Sequence, residues 1–203
     1  MSNRQEWNHT PELPIAVSPL WQWPPNLVRV LKWYADGWFF GAINTGILAI
    51  AIVSYYLFSP TLEQAQSLAL WWVALIFVRN FVVIGTIAGG LHLWFHKYAV
   101  QGLEKKYDPR PFPRKGRMFS FDHQVLDNML WTLASGVTIW SAFEVLIWLA
   151  LANGVAPLTS FAATPIWFVA FFFLIPVWES FYFYWIHRLL HTDVLYRFHA
   201  LHH

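Results

Sequence analysis

Residues 161–186 read FAATPIWFVAFFFLIPVWESFYFYWI, an apolar run whose only charge is Glu179, and residues 187–203 follow at once as HRLLHTDVLYRFHALHH. The hydrocarbon core of a bilayer is roughly 30 Å thick and needs about 20 apolar residues in a helix, so the first stretch is long enough to cross it. Lipid offers no partner for backbone N–H and C=O groups, which makes a helix the natural conformation. Pro165 and Pro176 lie inside the run. An interior proline removes a helical hydrogen bond, so a kink is expected there.

Three earlier stretches have the same character. Residues 38–58 carry no charge, residues 68–95 are interrupted by Arg79 and the late His92, and residues 129–152 contain only Glu144. The expected fold is therefore an all-α integral membrane protein with about four transmembrane helices. Residues 1–36 form an N-terminal arm and residues 37–203 a membrane-embedded domain. Composition agrees: 57% of residues are hydrophobic and only 12% charged, against about 25% charged in soluble domains. Mean hydropathy is +0.40. Residues 1–36 are rich in Trp and Pro and show no short apolar stretch with a small-residue cleavage site, so insertion is expected to depend on the first span itself. Trp21, Trp23, Trp33 and Trp38 read as interface anchors.

The cations sort themselves. Arg4, Arg29 and Lys32 precede the first run, and Arg188 and Arg197 follow the last. Lys97, Lys105, Lys106, Arg110, Arg114, Lys115 and Arg117 lie between the second and third. The segments 59–67 and 153–160 contain none. Four crossings bring these twelve residues to one face, which the positive-inside rule makes cytoplasmic, N-terminus included. The Asn8-His9-Thr10 sequon then faces the wrong compartment for glycosylation. The loop 97–117 reads as a topology determinant, with an acidic electron donor or anionic headgroups as its alternative partners. Pro109, Pro111 and Pro113 keep its middle extended.

The same topology gathers histidines. His187, His191, His199, His202 and His203 lie beyond the fourth run, His92 and His96 close the second, and His123 precedes the third. Eight of the nine histidines thus converge on the cytoplasmic face; His9 in the arm is a bystander. Residues four apart share a helix face, so His187 with His191, and His199 with His203, can hold one ion or two adjacent ones. Neutral imidazoles without thiolates suit Fe, Zn, Cu or Ni. Five ligands exceed the four of a structural zinc site, which makes a binuclear centre attractive. His92 and His96 read either as further ligands or as interfacial side chains, and His123 as a ligand or a helix cap. The chain has no Cys, which excludes disulfides, thiolate-ligated haem and iron–sulfur clusters on Cys. No HExxH occurs, against a zinc metalloprotease. Gly85 to Gly90 lies inside a span and follows no strand, so no flavin or nicotinamide fingerprint is present. A redox metal would need electrons from a separate donor protein. No nucleic-acid partner is expected.

The stretch Tyr182-Phe-Tyr-Trp-Ile-His187-Arg-Leu-Leu-His191, with Leu195-Tyr-Arg-Phe-His199-Ala-Leu-His202-His203, resembles the first two histidine boxes of the fatty acid hydroxylase/sterol desaturase superfamily. The segments Lys106-Tyr-Asp-Pro-Arg-Pro and Asp127-Asn-Met-Leu-Trp-Thr-Leu-Ala-Ser-Gly are similar to sterol desaturase-like members more diffusely. The resemblance implies a non-haem di-iron oxidoreductase of lipid biosynthesis. Such an enzyme uses O2 and external electrons to hydroxylate or desaturate a sterol- or fatty-acyl-type lipid. It also implies that His187, His191, His199, His202 and His203 are the metal ligands. The family has a further HxxHH box downstream that these 203 residues do not contain, so an incomplete and inactive piece is expected. Two readings compete: a histidine-rich metal-binding or metal-transporting membrane protein, and a structural membrane protein without metal.

Charges inside spans are costly and default to paired or functional roles. Counted along a helix from the cytoplasmic face, Arg79 lies about 18 Å deep and Glu144 about 22 Å, so an ion pair is expected to join spans two and three. Glu179, about 10 Å deep, reads as part of a lipid tunnel or as a structural acid. Asp193 reads as a carboxylate orienting a ligating imidazole or as a helix-cap residue.

Overall fold

The computed structural model describes residues 17–40, 44–103, 112 and 119–199, and among these the chain is helical with no strand. Ser18 caps a single turn at Pro19–Trp21, and Asn26 caps α1 (Leu27–Lys32) by accepting the amide of Arg29 at 3.1 Å. α1 runs on through π-helical turns at Trp33–Phe40. There the Tyr34 hydroxyl donates to the Phe173 carbonyl oxygen at 2.6 Å, which ties the N-terminal segment to the last long helix. α2 (Asn44–Phe58) follows. α3 (Leu70–His92) continues into a π turn at Leu93–Lys97. α4 (Gln124–Trp131), a π turn at Thr132–Gly136 and α5 (Val137–Ala152) form one continuous rod. α6 (Pro165–Leu190) and the short α7 (Asp193–His199) end the described chain.

α3 and α5 are the packed centre. Trp72 and Ile76 of α3 meet Val145 and Trp148 of α5, with Ala65 of the preceding turn sealing that end. The turn is held by a reciprocal pair: the Thr61 amide donates to Gln64 Oε1 and the Gln64 amide to Thr61 Oγ1. Trp72 Nε1 donates to the Ser67 carbonyl, and Asn153 Nδ2 to that of Gln66, so both long helices are pinned to this turn. Among the described residues the buried apolar side chains are few, whereas the outward faces of α2, α3, α5 and α6 are Leu, Ile, Val, Phe and Trp. A soluble protein rarely exposes so continuous an apolar surface; lipid is the solvent that suits it.

Length decides which helices can cross. Leu70–Lys97 has 28 residues and Gln124–Ala152 has 29. At 1.5 Å per residue each exceeds about 40 Å, more than the hydrocarbon core requires. α6 is bent by 44° between its halves Pro165–Ile175 and Val177–Leu190, the kink expected from Pro176, and counts as a third span if the halves are taken as one. α2 has only 15 residues, or about 22 Å, so the first expected span is short as a regular helix. The third begins at Gln124 rather than Met129 because the π turn at Thr132–Gly136 lets α4 and α5 run on without a break.

Arg79 and Glu144 do pair. They belong to a larger polar knot: Asn80 Nδ2 donates to Glu144 Oε2 at 3.0 Å and to Ser141 Oγ at 3.2 Å, and Arg79 also donates to Asn80 Oδ1, Ser59 Oγ and the Phe58 carbonyl. Counted along the observed helix, Arg79 lies about 14 Å from the Leu70 end and about 27 Å from the Lys97 end. The knot is thus in the half of α3 away from His92 and His96. It is farther from that end than the depth of about 18 Å expected from the sequence, because the helical rod runs on through the π turn to Lys97 instead of ending near His92.

Candidate metal centre

His187 lies in the last turn of α6 and His191 at its C-cap. The chain then reverses within two residues. The His191 amide donates to the His187 carbonyl, Thr192 Oγ1 to that of Leu189, and the Thr192 carbonyl accepts the amides of Leu195 and Tyr196 to start α7. This turn brings His199, at the end of α7, back over the pair. Ring centroids are 4.7 Å apart for His187–His191 and for His187–His199, and 5.2 Å for His191–His199. One nitrogen from each ring lies within 4.8 Å of the others, and no other trio of potential ligands converges this way among the described residues.

The donor set fits a transition metal. His187 Nε2 and His191 Nε2 are 3.0 Å apart. Two imidazoles at right angles on an ion with bonds of about 2.1 Å would place their nitrogens about 3.0 Å apart. An imidazole–imidazole hydrogen bond has the same length; the third ring closing from α7 is what makes the group able to hold an ion. Three neutral nitrogens suit Fe, Zn, Cu or Ni and do not choose among them.

The surroundings are aromatic. Phe183, one turn before His187, stacks on its ring at 5.2 Å, and Tyr196 lies 5.5 Å from His191. Arg188 points elsewhere, donating to the Tyr184 hydroxyl at 2.9 Å and lying over the Tyr184 and Trp185 rings. Asp193 is exposed in the first turn of α7, where a carboxylate favours the positive end of the helix, and it makes no hydrogen bond to a histidine. The cap reading therefore suits it better than the orienting one. Glu179 is exposed on α6.

The remaining sequence candidates separate. His202 and His203 lie outside the described residues, as do His9 and most of the basic loop. His92 and His96 stack on each other at 5.5 Å, with Phe112 at 4.6 Å from His96, and are not part of the convergent trio. His92 borders a cavity of about 280 Å³ between α3 and α4 whose room comes partly from Gly85 and Gly89. His123 is a cap: its Nδ1 accepts the Val125 amide at 3.2 Å at the start of α4. Sequence reading missed Asp127. It is fully buried and accepts the amides of Ser120 and Phe121 at 2.7 and 3.0 Å, stapling the approach to α4. Its position in the first turn was the available signal.

Comparison with protein-family models, with curated proteins and with solved structures finds no match for this chain. The site geometry and the membrane-compatible helices therefore define the class: a helical membrane protein carrying a three-histidine cluster able to hold a metal ion.

Proposed function

We propose that this chain carries the histidine boxes of a membrane-bound, non-haem iron oxygenase that hydroxylates or desaturates a lipid. The observation that carries the reading is the convergence of His187, His191 and His199 immediately after the apolar helix α6. In this reading His202 and His203, three and four residues beyond His199, supply the further ligands of a di-iron centre. Support for lipid as substrate comes from the exposed apolar surface of α6 leading directly to the cluster. The histidine boxes of the sterol desaturase-like family point the same way.

Bound iron would supply O2 activation; the chain supplies nitrogen ligands, aromatic walls at Phe183 and Tyr196, and an approach through lipid that keeps water away. Hydroxylation consumes O2, two electrons and two protons and leaves one water. Desaturation takes the same inputs and leaves two. The electrons come from a separate donor protein. In this reading the chain crosses four times, with residues 38–58 as the first span and α6 as the last, and the distribution of Lys and Arg supports a cytoplasmic cluster and N-terminus.

Metal analysis of the purified chain tests the reading. Iron at two equivalents, reduced in His187→Ala and in His199→Ala, is the expected result. Zinc alone, at one equivalent, would favour the metal-binding or transport alternative. A metal-free chain after iron supplementation would sink both.

A further inference from the structure

The polar knot at Arg79 borders a groove of about 360 Å³ between α2, α3 and α5. Its walls are largely apolar, with Ile47, Ile50 and Ala51 from α2, Val83 and Ile87 from α3, and Trp140 from α5, and Ser54, Tyr55 and Ser59 add hydroxyls. One end is closed by Arg79, Asn80 and Glu144. The volume lies within the range of about 300–1,000 Å³ typical of small-molecule sites, and a mostly apolar lining with a few polar groups is their usual make-up.

The hydrogen bonds at that end select what it accepts. A guanidinium has five N–H donors. Arg79 directs Nε to Asn80 Oδ1, one η1 nitrogen to Ser59 Oγ and the Phe58 carbonyl, and the other to Asn80 Oδ1 and Glu144 Oε2. Five bonds saturate it. Both Nδ2 hydrogens of Asn80 are used as well, on Ser141 and Glu144. Glu144 differs: Oε2 takes both its bonds, while Oε1 makes none among the described residues and the side chain is 21% exposed. The Arg79–Asn80–Glu144 knot therefore offers an acceptor and no spare donor, and the other polar groups lining the groove are the hydroxyls of Ser54, Tyr55 and Ser59. An anionic headgroup finds no free cation, since Arg79 is saturated. A cationic one would add an unbalanced charge to a pair already neutral, which is costly within the apolar core. A neutral hydroxyl meets the requirement.

Position agrees with that chemistry. Arg79 is about 14 Å from the Leu70 end of α3, and Ile87 about 12 Å further along. A molecule entering from that leaflet would hold its hydroxyl near the knot and extend its body toward the bilayer centre. We propose that this groove is a binding site for a neutral lipid alcohol, whose hydroxyl donates to Glu144 Oε1. The site is in the opposite half of the membrane-spanning helices from His92 and His96, and it does not depend on the metal reading.

The test uses the full chain in lipid nanodiscs and a long-chain primary alcohol bearing a mid-chain diazirine, with its methyl ether as control. Saturable photolabelling of α2 and α3 around Ile47, Ala51 and Ile87 is expected, weaker by about tenfold or more for the ether, since a hydrogen bond to a charged group is lost. Ala51→Trp fills the groove and should abolish labelling in protein that stays helical; Ile87→Trp serves if that variant does not fold. Displacement by a sterol or by a diacylglycerol, either of which supports the site, tells those sources apart. Equal labelling by alcohol and ether overturns the proposal. So does labelling that survives the Trp substitution in folded protein, or label found only between two copies of the chain.

Discussion

Arg79 of α3 and Glu144 of α5 are joined across the helix interface with Asn80 bridging them, and their side chains are 8% and 21% exposed. Desolvating two opposite charges gains little in net stability when both are present, but removing one strands the other. Arg79→Ala and Glu144→Ala should each destabilise the folded protein by about 3–5 kcal/mol, and the double variant by less than the sum. Denaturation in detergent measures all three. Strict additivity would show that the pair is not coupled.

That pair was legible in the sequence because a lone charge in an apolar run is expensive and demands an opposite one. Asn80 and Ser141, which complete the knot, were not: neutral side chains among apolar ones raise no alarm until helices are placed face to face. The kink in α6 was legible from Pro176 for a similar reason, since a missing N–H acts locally. The ends of the helices were not legible. Hydropathy marks an apolar stretch, but a helix can run on into polar residues: the rod Gln124–Ala152 starts at Gln124, ahead of the apolar run from Met129. At the histidine cluster, the i, i+4 spacing gave His187 and His191 directly. The approach of His199 depended on a two-residue turn at Thr192, whose closing hydrogen bonds leave no periodic signature.

Ligand substitutions at the trio should be separable from those at the other histidines. His187→Ala or His191→Ala is expected to weaken metal binding by more than the 10–100-fold that follows loss of a mere supporting partner. His92→Ala, outside the trio, should leave the affinity within about threefold, well short of that range. Competition against a chelator of known affinity provides the measurement. Equal losses at His92 and His187 would mean that the two histidine pairs act in one centre.

Sidedness can be read directly because the chain has no native Cys. Single substitutions Ser120→Cys and Asp193→Cys should react with an impermeant thiol reagent only from the cytoplasmic side, and Ser160→Cys only from the other. Ser120 precedes α4 and Ser160 precedes α6, so the two are separated by the whole rod Gln124–Ala152. Reaction of Asp193→Cys and Ser160→Cys from the same side would overturn the crossing of α6.

The entry to α4 is held by two side chains with distinct roles. His123 caps the helix through its ring Nδ1, and Asp127 accepts two amides of the segment before it while fully buried. Asp127→Ala leaves the Ser120 and Phe121 amides without their acceptor; both residues are exposed, so water takes its place and the loss is about 0.5–1.5 kcal/mol for each bond. His123→Ala should cost only about 1 kcal/mol, the usual price of a lost N-cap, and His123→Asn should restore most of it because Asn is among the best residues at that position. Hydrogen exchange at the Ser120, Phe121 and Val125 amides distinguishes the two effects. Asp127→Ala should speed exchange at the first two, and His123→Ala at Val125. Were His123 a metal ligand rather than a cap, His123→Asn would fail to restore protection at Val125 and would lower metal content instead.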